Sequence, residues 1–441
     1  MSVPTVDLTG DVLRPGDPTY DDARAVFNAM IDRRPSAILR CHDTDDVARG
    51  IAFARAHDLA LAVRGGGHNV AGNAMCDGGI VLDLSPMREL TVDPAERTAW
   101  AGPGLLLGDL DAATAAHGLA TPLGVMSGTG IAGLTLGGGL GWLAARHGLA
   151  CDNLVEAQVV TAAGTVVRAA DDENPDLLWG LRGGGGNLGV VTRFRYRLHP
   201  VATVVAGAFG FAWSQARDVM RRYQELFDSA PDELGSVASF GLGPDGGPAV
   251  TILVCWSGDP AAADAAFAPI RAAGPAAVEV GEMPFVDWQQ APDPGYPLGQ
   301  RHYWKSGYLP RLTDGAVDTL LDLVPGLPTP TSGIGLQALR GAAARVAPDA
   351  TAFPHRSPRH DLLVLAQWPD PADDERVVAW ARSAHDALRP HLDDGVYVNN
   401  LGVEGPARVR AAFGANHDRL VALKRRFDPD NVFRLNQNVA P

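Results

Sequence analysis

Lysine is close to missing from this chain. Of its 37 basic residues only two, Lys305 and Lys424, are lysines, and arginine supplies the rest. Most of that skew is a composition bias, yet it marks both surviving lysines as positions where a compact, three-donor cation is used. Basic charge as a whole is also short. Against the 37 stand 51 acidic residues, a formal net charge of −14 at pH 7. This excess of acid argues against a sequence-independent grip on nucleic acid or on anionic lipid, both of which need basic patches. Cysteine is scarce too, with four residues at 41, 76, 151 and 255 and no CxxC spacing. Neither a structural zinc site nor a disulfide framework is indicated, and no metal is expected. The first residues, MSVPTVDLTGDV, contain neither a cationic stretch nor an apolar core, so no secretory signal is visible and a reduced, cytoplasmic setting is the default. A single charge-free run, residues 118–145, has the length to cross a bilayer. It holds nine glycines and a proline, which suits a buried glycine-rich loop far better than a membrane helix.

What is present points to a globular protein of about 441 residues, 46% of them hydrophobic and 20% charged. Local patterns predict helices over 20–32, 45–56 (capped by Thr44) and 106–117. They predict strands over 37–40, 59–64, 80–84, 98–101, 156–161, 165–168 and 190–198. Beyond Pro200 the glycine clusters stop and longer strands and helices alternate, the texture of one sheet with helices packed on it. The glycines themselves are concentrated in three clusters within the first 200 residues: Gly65–Gly67, the run from Gly124 to Gly141, and Gly183–Gly186. Long glycine-rich loops in compact domains are usually functional, because glycine lets backbone N–H groups approach a ligand such as a phosphate. Gly128-Thr129-Gly130-Ile131-Ala132-Gly133 spells GxGxxG, but residues 121–127 before it do not read as the strand that a nicotinamide-binding turn requires.

Four stretches together carry a resemblance. They are VRGGGHN at 63–69 with IVLDL at 80–84; SGTGIAGLTLGGGLGWLAARHGLACDN at 127–153; NPDLLW at 174–179 with RGGGGNLGVVTRF at 182–194; and YVN at 397–399 with DPDNVFRLNQN at 428–438. In order and separation they resemble the berberine-bridge-enzyme-like FAD-linked oxidases of the vanillyl-alcohol oxidase fold, nearest their bacterial 6-hydroxy-D-nicotine-oxidase-like branch. The resemblance implies an α+β, two-domain architecture with a discontinuous flavin domain. Residues 1–200 would form its main part, 201–394 a substrate-binding domain with a sheet covered by helices, and 395–441 a return segment.

It implies roles as well. His68 would bond covalently to the 8α-methyl of FAD. A second link through cysteine is common in the family, but residues 126–129 contain none, so a single bond is expected. Arg64, Gly65, Gly66, Gly67 and Asn69 would hold the diphosphate through the backbone. Ser127, Gly128, Thr129, Gly130, Gly133, Asn153, Gly189 and Val191 would line the rest of the cofactor. Tyr397 and Asn399, read as alternate residues of one strand face, would stand near the reacting carbon, Tyr397 as proton acceptor. Asn436 and Asn438 would fix the tail against the flavin domain.

Lys305 lies in His302-Tyr303-Trp304-Lys305-Ser306-Gly307-Tyr308, where strand alternation puts Tyr303 and Lys305 on one face and His302, Trp304 and Tyr308 on the other. Lys305 is the catalytic candidate if the first face lines the pocket. His355 and His360 are weaker candidates for substrate contact. The activity expected is oxidation of a small molecule. A CH–OH centre gives hydride to flavin and dioxygen reoxidises it, with oxidation of a C–N centre as the alternative. A flavin-holding protein without turnover and a nicotinamide-dependent reductase stay open beside it.

Overall fold

Ile80–Asp83 is apolar at three consecutive positions, the mark of a strand covered on both faces. In the computed structural model, which describes residue 6, residues 8–357 and residues 359–441, this strand is fully buried. It pairs in parallel with Ala37–Arg40 on one side and Leu61–Arg64 on the other, and Val12–Leu13 adds an antiparallel edge. A second, antiparallel sheet follows in the order Leu90–Asp93, Thr98–Ala101, Val190–Arg197, Leu154–Val160, Val166–Ala170. The glycine clusters occupy the turns around these two sheets.

From Thr203 onward the chain builds a seven-stranded antiparallel sheet. Its order is Ala277–Pro284, Thr203–Ala212, Pro248–Trp256, Leu234–Leu242, Gly333–Leu339, Arg359–Trp368, Arg301–Leu309. Helices Ala216–Ser229, Ala263–Arg271, Asp314–Leu323 and Asp374–Leu388 cover one face, sealing a core that contains Phe209, Tyr223, Phe240, Phe267 and Trp368. The other face looks toward the glycine turns. Residues 396–439 then come back to the first half. Val396, Val398, Leu401, Phe413, Leu420 and Val439 share a core with Leu107, Ile131, Leu154 and Phe194. The fold is thus a two-domain α+β architecture.

The structure corrects several local readings. The helix expected over 20–32 stops at Arg24. The chain turns extended at Ala25, and Asn28 is drawn into long-range contacts instead. Its amide donates to the carbonyls of Val70 and His302, and its Oδ1 accepts from the His302 N–H. The helix Thr44–Ala56 is capped by Asp43, whose carboxylate accepts from the Asp46 N–H at 2.8 Å, and Thr44 lies inside it. Residues 398–400 form a 3₁₀ turn rather than a strand. Strands Leu90–Asp93, Leu234–Leu242 and Ala277–Pro284, and helices Pro406–Phe413 and His417–Phe427, carry too little sequence signal to be read beforehand. All four cysteines are free and buried. Among the described residues no helix is long and apolar enough to cross a membrane.

Candidate cofactor and substrate site

A cavity of about 610 Å³ lies between the glycine turns and the open face of the seven-stranded sheet, a size typical of small-ligand sites. Its lining begins where the Leu61–Arg64 strand ends in Gly65–Asn69. Glycine is forced here by packing. A Cβ on Gly66 would sit 2.5 Å from the Cα of Gly130, and one on Gly130 would sit 2.5 Å from the Gly66 nitrogen, so the first two clusters meet back to back. Gly67 has φ +69°, a conformation glycine adopts freely. Among the described residues, none of the N–H groups of residues 65–69 donates to another protein group. Successive free N–H groups facing a cavity form a nest for an anion, which suits the diphosphate of a dinucleotide.

His68 lines the same wall. Its ring stacks on Phe27 at 3.8 Å between centroids, and Phe27 stacks in turn on His302 at 4.2 Å. Burial lowers the His68 imidazole to about 4, so it is neutral at physiological pH and carries a lone pair on one nitrogen. Thr129, Gly130, Gly133, Gly189, Val191 and Asn436 also face the cavity. A Cβ on Gly133 would meet nothing within 4 Å, so room is held open there for a ligand.

Opposite, the sheet contributes Val237, Phe240, Leu253, Trp304, Ile334, Leu363 and Leu365. No lysine, arginine or glutamate lines the cavity among the described residues. The 3₁₀ turn brings Tyr397 and Asn399 to its edge. The Tyr397 hydroxyl oxygen receives N–H groups from Gly139 at 2.8 Å, Leu140 at 3.2 Å and the Asn399 amide at 2.9 Å. The third glycine triplet therefore serves this pair: a Cβ on Gly137 would fall 1.9 Å from the Asn399 Oδ1. Burial raises the Tyr397 phenol above its ordinary value, and the three donors pull the other way without overcoming it. At neutral pH Tyr397 is a phenol.

The ionisable group that sequence reading missed is Asp361. It sits near the start of the Arg359–Trp368 strand, fully buried, on the cavity wall. Its Oδ1 accepts from the Ser306 hydroxyl at 3.2 Å and its Oδ2 from the Asn400 amide at 2.8 Å. No cation pairs with it, and burial pushes its carboxyl up to about 7. A lone aspartate opening an otherwise apolar strand, Asp361-Leu362-Leu363-Val364-Leu365, is the signal that could have found it.

Other expected residues do not reach this cavity. Lys305 shares its strand face with Tyr303, which packs against the helix-side core, while Trp304 lines the cavity and Ser306 holds Asp361. Lys305 pairs with Glu404 at 3.2 Å instead, so its expected catalytic place is corrected. Asn153 is buried elsewhere, donating to the carbonyls of His147 and Leu149 and accepting from the His199 ring at 2.7 Å. Arg64 turns its guanidinium to the Ala23 carbonyl. Ser127 ties its N–H and hydroxyl to Asp293, and Gly128 beside it stays off the wall. Asn438 lines a smaller neighbouring cavity that shares Asn73, Asn436 and Gln437 with the main one. His355 binds the Ala411 and Ala412 carbonyls, and His360 is buried against Phe227 on the helix side.

Comparison with known proteins agrees with this geometry. Residues 35–170 match the FAD binding domain family model and residues 396–440 the berberine and berberine-like model. The FAD-linked oxidoreductase YgaK of Bacillus subtilis is 30% identical over 442 residues, spanning 98% of this chain and 97% of its own. The (R)-6-hydroxynicotine oxidase of Paenarthrobacter nicotinovorans is 31% identical, with 99% and 98% covered. The crystal structure of 6-hydroxy-D-nicotine oxidase from Arthrobacter nicotinovorans matches with a TM-score of 0.93 over 100% of both chains, at 28% identity.

Proposed function

Because the chain belongs to the berberine-bridge-enzyme-like family of FAD-linked oxidoreductases, we propose that it is an oxidase of an apolar small molecule. In this reading residues 1–200 and 395–441 hold FAD, and residues 201–394 present the substrate. When bound, FAD accepts hydride from the substrate carbon and hands the electrons to dioxygen, giving peroxide. The loop 65–69 binds the diphosphate through its free N–H groups. His68, neutral and immobilised by the Phe27 stack, forms the single covalent bond to the flavin 8α-methyl, since residues 126–129 offer no cysteine.

The observation that carries the reading is the pairing of that anion nest with one ionisable wall residue across the same cavity. Hydride loss from a CH–OH centre needs the hydroxyl proton removed, and Asp361 is the group whose pKa is matched to that task near neutrality. Tyr397, its oxygen fixed by three N–H donors, has its own O–H free to orient the substrate oxygen. A second reading has a specific support. Asp361 lacks a counter-charge, and a substrate ammonium would supply one, so oxidation of a C–N centre uses the same residues.

Anaerobic mixing with panels of apolar alcohols and amines tests both. The substrate bleaches the visible flavin band, and air restores it with release of peroxide. A yellow protein that no compound in either panel bleaches would favour a flavin-holding role, and a colourless one would remove the cofactor assignment.

A further inference from the structure

The second lysine has a setting unlike the first. Lys424 lies in the last turn of the His417–Phe427 helix and is fully buried. Its Nζ donates to the Asn187 carbonyl at 3.1 Å, to Asp428 Oδ2 at 2.6 Å and to the Phe433 carbonyl at 2.9 Å. An ammonium has three N–H groups, and each has an acceptor here. The Asp428 carboxylate is matched as closely, accepting from the Val432 and Phe433 N–H groups at 2.7 and 2.9 Å. A guanidinium brings five N–H groups in a flat fork and would leave at least two of them buried without acceptors. That is a physical reason for lysine at this position in a chain that otherwise chooses arginine.

Both carbonyls held by Lys424 belong to residues of the main cavity wall. Asn187 ends the third glycine cluster, and its side chain grips the C-terminal segment. Its amide donates to the Gln437 carbonyl at 3.1 Å, and its Oδ1 accepts from the Val439 N–H at 2.9 Å. Phe433 packs with Leu61, Leu84 and Val190, so it closes the end of the cavity next to the Leu61–Arg64 strand.

We propose that Lys424 is a positioning residue for the flavin: by anchoring Asn187 and Phe433 together it fixes the wall that the cofactor leans on, so that cofactor capture and docking of residues 428–439 are one event. This rests on the FAD reading above.

The test is FAD titration onto protein carrying His68→Ala, which removes the proposed covalent bond. Lys424→Arg and the charge-free pair Lys424→Met with Asp428→Leu are compared with that parent. The double substitution leaves no bare buried charge, so the fold survives it. Val377→Ala, in the helix-side core, serves as a variant destabilised far from the cavity. The expected result is FAD dissociation weakened by about tenfold or more in both Lys424 variants, the loss of roughly one charge-assisted hydrogen bond. Saturating FAD should also raise their Tm by less than it raises that of the parent. Val377→Ala should lower Tm and leave FAD affinity as it was. Lys424 variants that lose Tm equally with and without FAD, and bind it as the parent does, would overturn the proposal. Wild-type protein that holds no FAD would overturn the cofactor reading together with it.

Discussion

A carboxyl held only by a hydroxyl and an amide inside an apolar wall is costly. Raising Asp361 from 3.8 to about 7 corresponds to roughly 4 kcal/mol of disfavour for its charged form. The folded state therefore binds a proton that the unfolded state releases between those two values. Stability falls as pH rises through that window and is fully reduced above about 7. Asp361→Asn should thus raise Tm more at pH 8 than at pH 4, measured by thermal melts across pH. The same change should lower kcat/KM by about 10²–10⁴, the usual worth of a general base. In the unaltered protein kcat/KM should climb with pH through about 7, as the carboxyl ionises. Lys305→Met should behave in the opposite manner. It leaves Glu404 buried without its cation, so Tm drops, while flavin reduction by substrate stays within about twofold. Sequence alternation separated Lys305 from Trp304 correctly. Which of the two faces met the cavity depended on where the helices packed, and that is set by contacts between distant segments.

Glycine turns act at the next scale up, as paired surfaces. The clusters were legible because so many glycines cost stability unless something needs the space. Their partners were not legible. Gly66 is needed for Gly130, and Gly137 for Asn399, and neither pairing has a local signature. Gly66→Ala should push the two turns apart by more than a side chain can absorb, because the atoms it meets are backbone. Purified protein should then lose most of its visible flavin absorbance while the seven-stranded sheet, and hence far-UV circular dichroism, is largely kept. Capping and termination followed similar logic. Asp43 outcompeted Thr44 as the cap one residue earlier, and the Tyr20 helix ended where Asn28 found partners on Val70 and His302. The 397–399 segment met its expected neighbours through a turn, since residues two apart can converge there as Asn399 and Tyr397 do at 2.9 Å.

Across the molecule, the four-motif pattern fixed the two-domain α+β fold of the vanillyl-alcohol oxidase type, and the comparisons bear out the family. The His68 attachment gives the sharpest whole-protein measurement. Acid precipitation of the unaltered protein should carry the yellow colour into the pellet, and His68→Ala should leave it in the supernatant. Flavin-depleted protein should melt at a lower temperature than the loaded form, because a ligand bound only by the native state adds stability.

The cradle also has a temporal side. Its first wall, residues 65–69, leaves the ribosome long before the second, residues 433–437, with the whole seven-stranded sheet synthesised in between. A nascent chain arrested before Lys424 would own the anion nest and the histidine yet have nothing to shut the groove behind a nucleotide. Holoprotein assembly would then begin only once translation has passed that lysine.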